Sequence, residues 1–356
     1  MRQHAPLRLA LVAPPWYPVP PPAYGGIEAL VYWLAEGLLA RGHQVTVIGA
    51  GRPGTRAGFL RTYQVPPTGR LGEALPEVLH AAHAADLLAD LDVDVVHDHS
   101  LAGPLAATRY QAPTLLTAHG PVDGEVGAYH RRLGLPLVAI SDFQRRAAPD
   151  LPWVGRVHNA IPVASFPYRR DKDDFCLFLG RMSPDKGPDL AIQAAHAAGL
   201  PIVVAAKCSE PAERRYFQQR VRPLLGRQDV WVGEADADAK RDLLGRARCL
   251  VFPVRWDEPF GLVMAEALAC GTPVVALPRG SVPEVVEHGV TGWICQEPEQ
   301  LARGILEAGR LDPAACRRRA EWRFDVAGMV AGYERLYRQL ADRGLHLLPA
   351  AAGHWR

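Results

Sequence analysis

Residues 257–275 read DEPFGLVMAEALACGTPVV. Small and apolar side chains fill most of this stretch, the pattern of a buried helix feeding a buried strand. Yet Glu258 stands at its mouth and Glu266 in its middle. Pro259 suits the first turn of a helix, which places Glu258 just ahead of it. The N–H groups of Phe260, Gly261 and Leu262 then have no partner inside the helix. Glu266 lies eight positions after Glu258, a little over two turns. The two acids therefore share one broad side, roughly 12 Å apart along the axis. A hydrolase working with paired carboxylates needs them about 5–10 Å apart. The wider spacing suits two hydroxyl groups of one extended ligand. The alternative is that one acid caps the helix and the other pairs with an Arg or Lys.

Outward from this stretch, short Val/Ile/Leu/Ala runs alternate with helical patterns. They fall at 7–13, 45–48, 93–97, 114–117 and 137–140, then at 175–179, 201–206, 230–232, 250–252 and 274–277. Continuous apolar strands separated by helices predict parallel sheets covered on both faces. The segment NAIPVASFPYRRDKDD (159–174) holds two prolines and a charge run without a period, and the alternation restarts after it. The reading is α/β: two doubly wound, Rossmann-like domains facing each other across a cleft. The first covers 1–162 and the second 163–320. An amphipathic helical stretch over about 313–342 packs its 321–342 part back across the junction, and 343–356 is a loosely held tail. In such sheets ligands sit at the carboxyl ends of the strands.

The chain has 356 residues, 48% hydrophobic and 22% charged, with a net charge of +2. That balance argues against a nucleic-acid partner. The run Arg317-Arg318-Arg319 reads as a solvated helix face, with contact to anionic lipid as the sharper alternative. The six cysteines lie at 176, 208, 249, 270, 295 and 316 with no CxxC pair. They indicate a reduced, cytoplasmic chain, with Cys176, Cys249 and Cys270 as small core residues. The run at 7–13 reads as a first parallel strand rather than a signal segment, and no apolar run is long enough to span a bilayer.

Several residues can carry chemistry. Ile27, Leu30, Val31, Leu34 and Leu38 form one helical face, and Gly25-Gly26 stand at its start. Bare glycines let a phosphate approach the N–H groups of the first turn. A turn that merely needs glycine is the other reading, and the pair is not the GxGxxG of a dinucleotide site. In LFLGRMSPDKG (177–187) a strand ends at Gly180, and Arg181 and Lys186 follow. Two such cations can hold a diphosphate, or they can be ordinary surface charges. In VHDHS (96–100), His97 and His99 point one way and Asp98 the other, which disfavours a metal site and leaves Asp98 or His99 to meet an acceptor. His119 ends a strand in TAHG (117–120), as a core histidine or beside a ligand. Ser141 reads as a helix N-cap. Trp16, Tyr17 and Tyr24, in the Pro-rich loop at 14–26, can stack on an acceptor or pack the loop.

Taken together, EPFGLVMAE (258–266), ALACGTPVVAL (267–277) and PEVVEHGVTG (283–292) resemble the signature of the family 4 retaining glycosyltransferases, which have the GT-B fold. GRMSPDKG (180–187), the segment at 21–47, TAHG and HNAIP (158–162) extend the resemblance to about residue 340. It implies that Arg181 and Lys186 bind the donor diphosphate. Glu258 would contact the transferred sugar, helped by the backbone of Phe260, Gly261 and Leu262, and Glu266 would bind the ribose. Gly25 and Gly26 would approach the diphosphate, His119 would lie beside the reacting sugar, and Val232 and Gly233 would border the base. Tyr24, Asp98 and His99 are the acceptor-side candidates. The segment FPVRWDEPFG (252–261) departs from the Pro-Ser pair that many members carry before the first acid, leaving Arg255 and Trp256 without a role.

The implied activity is retaining transfer of a sugar from a nucleotide diphosphate donor, UDP-glucose foremost, to a small-molecule or glycan acceptor. No metal or other cofactor is expected, because Arg181 and Lys186 supply the charge. Membrane contact is not indicated. The competing readings are a nucleotide-sugar epimerase on the same fold and a non-catalytic nucleotide-sugar-binding module.

Overall fold

The structure, a computed structural model, describes residues 5–22 and 25–343. Tyr24 and the tail from 344 onward lie outside the described residues. Residues 160–325 form one compact unit, and the described residues before and after them form the other.

Unit 1 is built on seven strands: β1 (Arg8–Val12), β2 (Gln44–Ala50), β3 (Gly58–Tyr63), β4 (Val95–Asp98), β5 (Thr114–Ala118), β6 (Leu137–Ala139) and β7 (Trp153–Arg156). All pair in parallel, in the order β3-β2-β1-β4-β5-β6-β7. The run at 7–13 holds the interior strand β1, and Leu9 to Val12 are buried. Helices α1 (Gly26–Ala40), α2 (Ala74–Ala89), α3 (Gly124–Leu133) and α4 (Asp142–Ala147) connect the strands. Ser141 caps α4 by accepting from the Gln144 N–H at 3.3 Å.

Unit 2 repeats the plan with β8 (Asp173–Arg181), β9 (Ile202–Lys207), β10 (Val230–Gly233), β11 (Ala247–Phe252), β12 (Val274–Ala276) and β13 (Gly292–Ile294). Their order is β10-β9-β8-β11-β12-β13, again all parallel. Its helices are α5 (Pro188–Ala197), α6 (Pro211–Tyr216), α7 (Ala237–Arg246), α8 (Leu262–Ala269), α9 (Val282–Val285), α10 (Leu301–Ala308) and α11 (Pro313–Arg323). Cys176 and Cys249 face each other across β8 and β11 in the core, and all six cysteines are free. In both sheets the strand order reverses beside the first strand, between β1 and β4 and between β8 and β11. Those switch points are where a doubly wound sheet opens a ligand crevice.

The expected single stretch over about 313–342 is two helices. It breaks at Phe324-Asp325, and α12 (Val326–Arg343) belongs to unit 1, packed on α1. The arginine run on α11 is not a solvated face. Arg317 donates to the carbonyls of Phe166 (2.9 Å) and Ala269 (2.8 Å), and Arg319 donates to that of Glu284 (3.0 Å). Only Arg318 is well exposed, at 67% of its side chain. Among the described residues no helix is long and apolar enough to cross a membrane.

Candidate functional site

At the switch point of unit 2, two loops follow β8 and β11. The first carries Arg181, at the end of β8, and Lys186. The second carries Arg255, Trp256 and Glu258. They are tied together by several bonds. The Arg255 N–H donates to the Asp185 carbonyl at 2.8 Å. The Arg255 guanidinium takes Asp189 in a fork, at 2.8 and 2.7 Å, and also donates to the Pro184 carbonyl at 2.7 Å. Tyr216 adds a bond to Asp189 at 2.7 Å. Burial works to raise the Asp189 pKa, but Arg255 and Tyr216 overcome it and hold the carboxyl below its ordinary range. Arg255, without a role on sequence alone, is therefore the clamp between the two loops.

Inside this frame the Lys186 ammonium donates to Glu258 Oε2 at 2.5 Å. Their side chains are 16% and 11% exposed, so water screens the pair little. The Trp256 indole N–H donates to the same oxygen at 3.1 Å, and Lys186 lies 4.7 Å from the centroid of the Trp256 ring. Arg181 pairs with Asp185 at 3.5 Å and keeps 35% of its side chain exposed.

The helix after Glu258 begins later than the sequence suggests. Pro259 is not in its first turn; α8 starts at Leu262, with Gly261 as N-cap at φ 74°. This left-handed conformation suits glycine and breaks the run from Glu258 into the helix. The spacing of Glu258 and Glu266 along one axis therefore does not apply, because Glu258 lies in the loop. That loop is held by its neighbour: Ser281 donates its N–H to the Glu258 carbonyl at 2.9 Å and its hydroxyl to the Phe260 carbonyl at 2.9 Å. Gly280, at φ 59°, packs directly on this backbone. A Cβ there would stand 2.2 Å from the Glu258 oxygen and 2.5 Å from its nitrogen.

Glu266, 5% exposed, accepts from Lys240 of α7 at 2.5 Å. A buried helix tolerates the carboxylate because a cation meets it. Residues Ala269 and Cys270 end α8 with carbonyls that accept from Arg317 and from Lys172 (2.9 Å), cations placed where the helix dipole is negative. Lys172 also donates to the carbonyl of Gly245 at 2.8 Å, and burial pulls its pKa down to about 8. Val232 and Gly233 end the edge strand β10, just before α7, with Val232 46% exposed.

In unit 1, the carboxyl ends of β4 and β5 hold a histidine row, with His97 and His99 buried and His119 half-buried. His97 reaches Tyr337 (2.7 Å) and Thr117 (2.8 Å), while His99 Nδ1 and His119 Nε2 share a hydrogen bond of 2.8 Å. The His97 and His99 rings lie 3.9 Å apart, tilted by 45°, and His99 stacks on His119 at 5.1 Å. Enclosure pushes the His119 pKa down to about 3 and holds His97 and His99 well below the ordinary range, so all three are neutral. His99 Nε2 and His119 Nδ1 have no partner among the described residues. Asp98 turns the opposite way, where Oδ1 accepts from the N–H (2.8 Å) and hydroxyl (2.7 Å) of Ser100. Burial raises its pKa to about 7. Asp98 and the histidines of VHDHS thus do not converge on one point. Gly25, at φ 137°, and Gly26 open α1. The buried face of α1 includes Glu28 beside Leu30, Val31, Leu34 and Leu38, whereas Ile27 is only half-buried. Trp256, like Arg255, had no role on sequence alone, and Lys240 was not among the residues picked out there: nothing local links it to Glu266, 26 positions away.

The family model for "Glycosyl transferases group 1" matches residues 164–340, and that for "Glycosyltransferase Family 4" matches residues 24–161. The phosphatidyl-myo-inositol mannosyltransferase of Mycolicibacterium smegmatis is 24% identical over 98% of each chain. The crystal structure of AviGT4, a glycosyltransferase involved in avilamycin A biosynthesis, is 28% identical, with a TM-score of 0.71 over 95% of this chain and 99% of that one. Anabaena Alr3699/HepE, solved in complex with UDP-glucose, shares the fold at 18% identity, with a TM-score of 0.73 over 94% and 100% of the two chains. With both family models matched in sequence and both parallel-sheet units present, the chain belongs to glycosyltransferase family 4 and has the GT-B type of fold.

Proposed function

We propose that this glycosyltransferase moves a sugar from a nucleotide diphosphate donor to a small-molecule or glycan acceptor, with retention of configuration and without a metal. The observation that carries the reading is the joining of Lys186 to Glu258 at the switch point of unit 2, with Arg181 beside them at the end of β8. Arg181 offers a planar fork and Lys186 a point charge to a departing diphosphate. Both donors to Glu258 use Oε2, which leaves Oε1 for a sugar hydroxyl. Glu266 suits the ribose hydroxyls. The first-turn N–H groups of α8 at Leu262, with Phe260 and Gly261 ahead of it, add partial positive charge. In this reading the acceptor attacks from the face the diphosphate leaves, and a donor phosphate oxygen takes its proton, so no protein nucleophile is needed. The UDP-glucose complex on the same fold supports UDP-glucose as the first donor to try, and the mannosyltransferase among the relatives supports mannose donors next. The roles that the resemblance gives Gly25, Gly26 and His119 form a separate proposal, tested by their own substitutions.

The test is a donor screen by mass spectrometry. UDP-, GDP- and ADP-sugars are incubated with the chain in the presence of a chelator, and free nucleoside diphosphate is measured. Release from one donor that is lost in Glu258→Ala supports the reading. Release only after divalent metal is restored overturns the metal-free part, and a donor converted to its epimer with no diphosphate release overturns transfer.

A further inference from the structure

We infer that Trp256 is a positioning residue for Glu258, holding the carboxylate in place while Lys186 is engaged by the donor. This rests on the assignment of Lys186 and Glu258 to the donor site. Three observations combine. The indole N–H of Trp256 and the ammonium of Lys186 converge on one oxygen, Glu258 Oε2. The same Lys186 ammonium lies over the Trp256 ring. The residue before Trp256 is fixed on both backbone and side chain, through Asp185, Pro184 and Asp189.

A lysine that serves a diphosphate cannot give its whole charge to Glu258. When phosphate oxygens compete for the ammonium, a carboxylate held by that lysine alone is released into its other rotamers. The neutral indole does not compete for phosphate with a full charge, so its bond to Oε2 persists and keeps Oε1 aimed. The ring also gives the lysine an apolar and π-electron face on which to pivot between the carboxylate and the phosphate. Trp256 so converts a two-membered ion pair into a three-membered unit in which the acid stays still when the cation moves. Its indole would thereby set how sharply the enzyme reads the sugar hydroxyl that meets Glu258.

The test uses the full chain. Trp256→Phe keeps an aromatic face for Lys186 and removes the donor N–H together with the pyrrole ring. Loss of one hydrogen bond to a charged group predicts a fall in kcat for donor hydrolysis of roughly ten- to a hundredfold. The Kd for UDP, which lacks the transferred sugar that would meet Glu258, stays within about twofold of wild type. Unchanged kcat, or equal losses in kcat and UDP affinity, overturns the inference, the second because it marks a collapsed loop. An independent arm reads the contact without catalysis. In protein carrying 15N-labelled tryptophan, Trp256→Phe identifies the Trp256 indole N–H resonance. Glu258→Ala then shifts that resonance if the bond exists; an unmoved resonance overturns the inference. If wild type hydrolyses no nucleotide sugar, it is the donor assignment that fails, and the indole arm still decides whether Trp256 holds Glu258.

Discussion

Glu266 on α8 and Lys240 on α7 meet at 2.5 Å, the same separation as Glu258 and Lys186. Each acid assigned to a donor hydroxyl is thus matched by a lysine from a different segment. Removing one partner of an enclosed pair leaves the other without compensation. Lys240→Ala is expected to destabilise unit 2 by about 1–3 kcal/mol in urea unfolding. Glu266→Gln is expected to weaken UDP binding about tenfold by calorimetry. UDP affinity unchanged in Glu266→Gln would remove the ribose role.

At the other pair, Lys186→Ala and Arg181→Ala should each lower kcat for transfer by roughly a hundredfold or more, because each supplies charge that counts most as the diphosphate departs. The double variant should fall short of the product of the two single losses, since the residues act on one group. Wild-type turnover in both single variants would sink the assignment.

Gly280 lies against the backbone of Glu258, where a Cβ would come within 2.2 Å of the carbonyl oxygen. Gly280→Ala forces this loop to shift and also strains a backbone at φ 59°. The expected result is a drop in kcat of roughly tenfold or more with the overall fold retained, since sub-ångström displacement of an orienting group is costly. Circular dichroism and donor hydrolysis measured on the same sample check both halves.

Glu28 sits in the first turn of α1, 3% exposed, and burial pushes its carboxyl up to about 8. A raised carboxyl keeps its proton in the folded state. Its contribution to stability is complete below about 4.5, its ordinary value, and is lost as pH rises through about 8. Glu28→Gln should therefore raise the melting temperature of unit 1 more at pH ~9 than at pH ~5. Each kcal/mol corresponds to about 2–4 °C for a domain of this size. The neutral histidines act with the opposite sign. Their pKa values are depressed, so their contribution is complete above about 6.5 and is lost at lower pH, for His119 as pH falls through about 3. A melting temperature of Glu28→Gln that tracks wild type across this range would contradict the burial argument.

Arg317 spans from α11 to the end of α8, donating to Ala269 and Phe166. Arg317→Ala should cost about 1–3 kcal/mol in urea unfolding, and Arg318→Ala, at an exposed position, close to nothing.

All ten strands expected from apolar runs are present, and the three that escaped the reading share one property. β3, β7 and β13 lie at sheet edges, with sequences GFLRTY, WVGR and GWI. These three edge strands are not buried on both faces and have glycine or polar residues in place of a continuous apolar run, whereas the fourth edge strand, β10, keeps the apolar VWV and was legible. Both glutamates of 257–275 were visible in sequence, but their geometry was not. Gly261 could have been a helix residue or, as it is, a left-handed cap, and only the surrounding packing decides that. Lys240 was invisible for a related reason: an ion pair 26 residues apart in sequence leaves no local period. The arginine run misled because three adjacent charges look alike in sequence, while a helix turns each to a different neighbour.

The return of the chain to unit 1 at Val326 has a bearing on synthesis. Unit 2 is a continuous segment, whereas unit 1 needs α12, whose Tyr337 and Tyr333 reach His97 and Thr117 in its interior. On the ribosome, residues 160–325 can finish their core as soon as they emerge. The first-made half must wait for α12, the last helix among the described residues, before His97 and Thr117 gain their tyrosine partners. The half that is begun first is the one completed last.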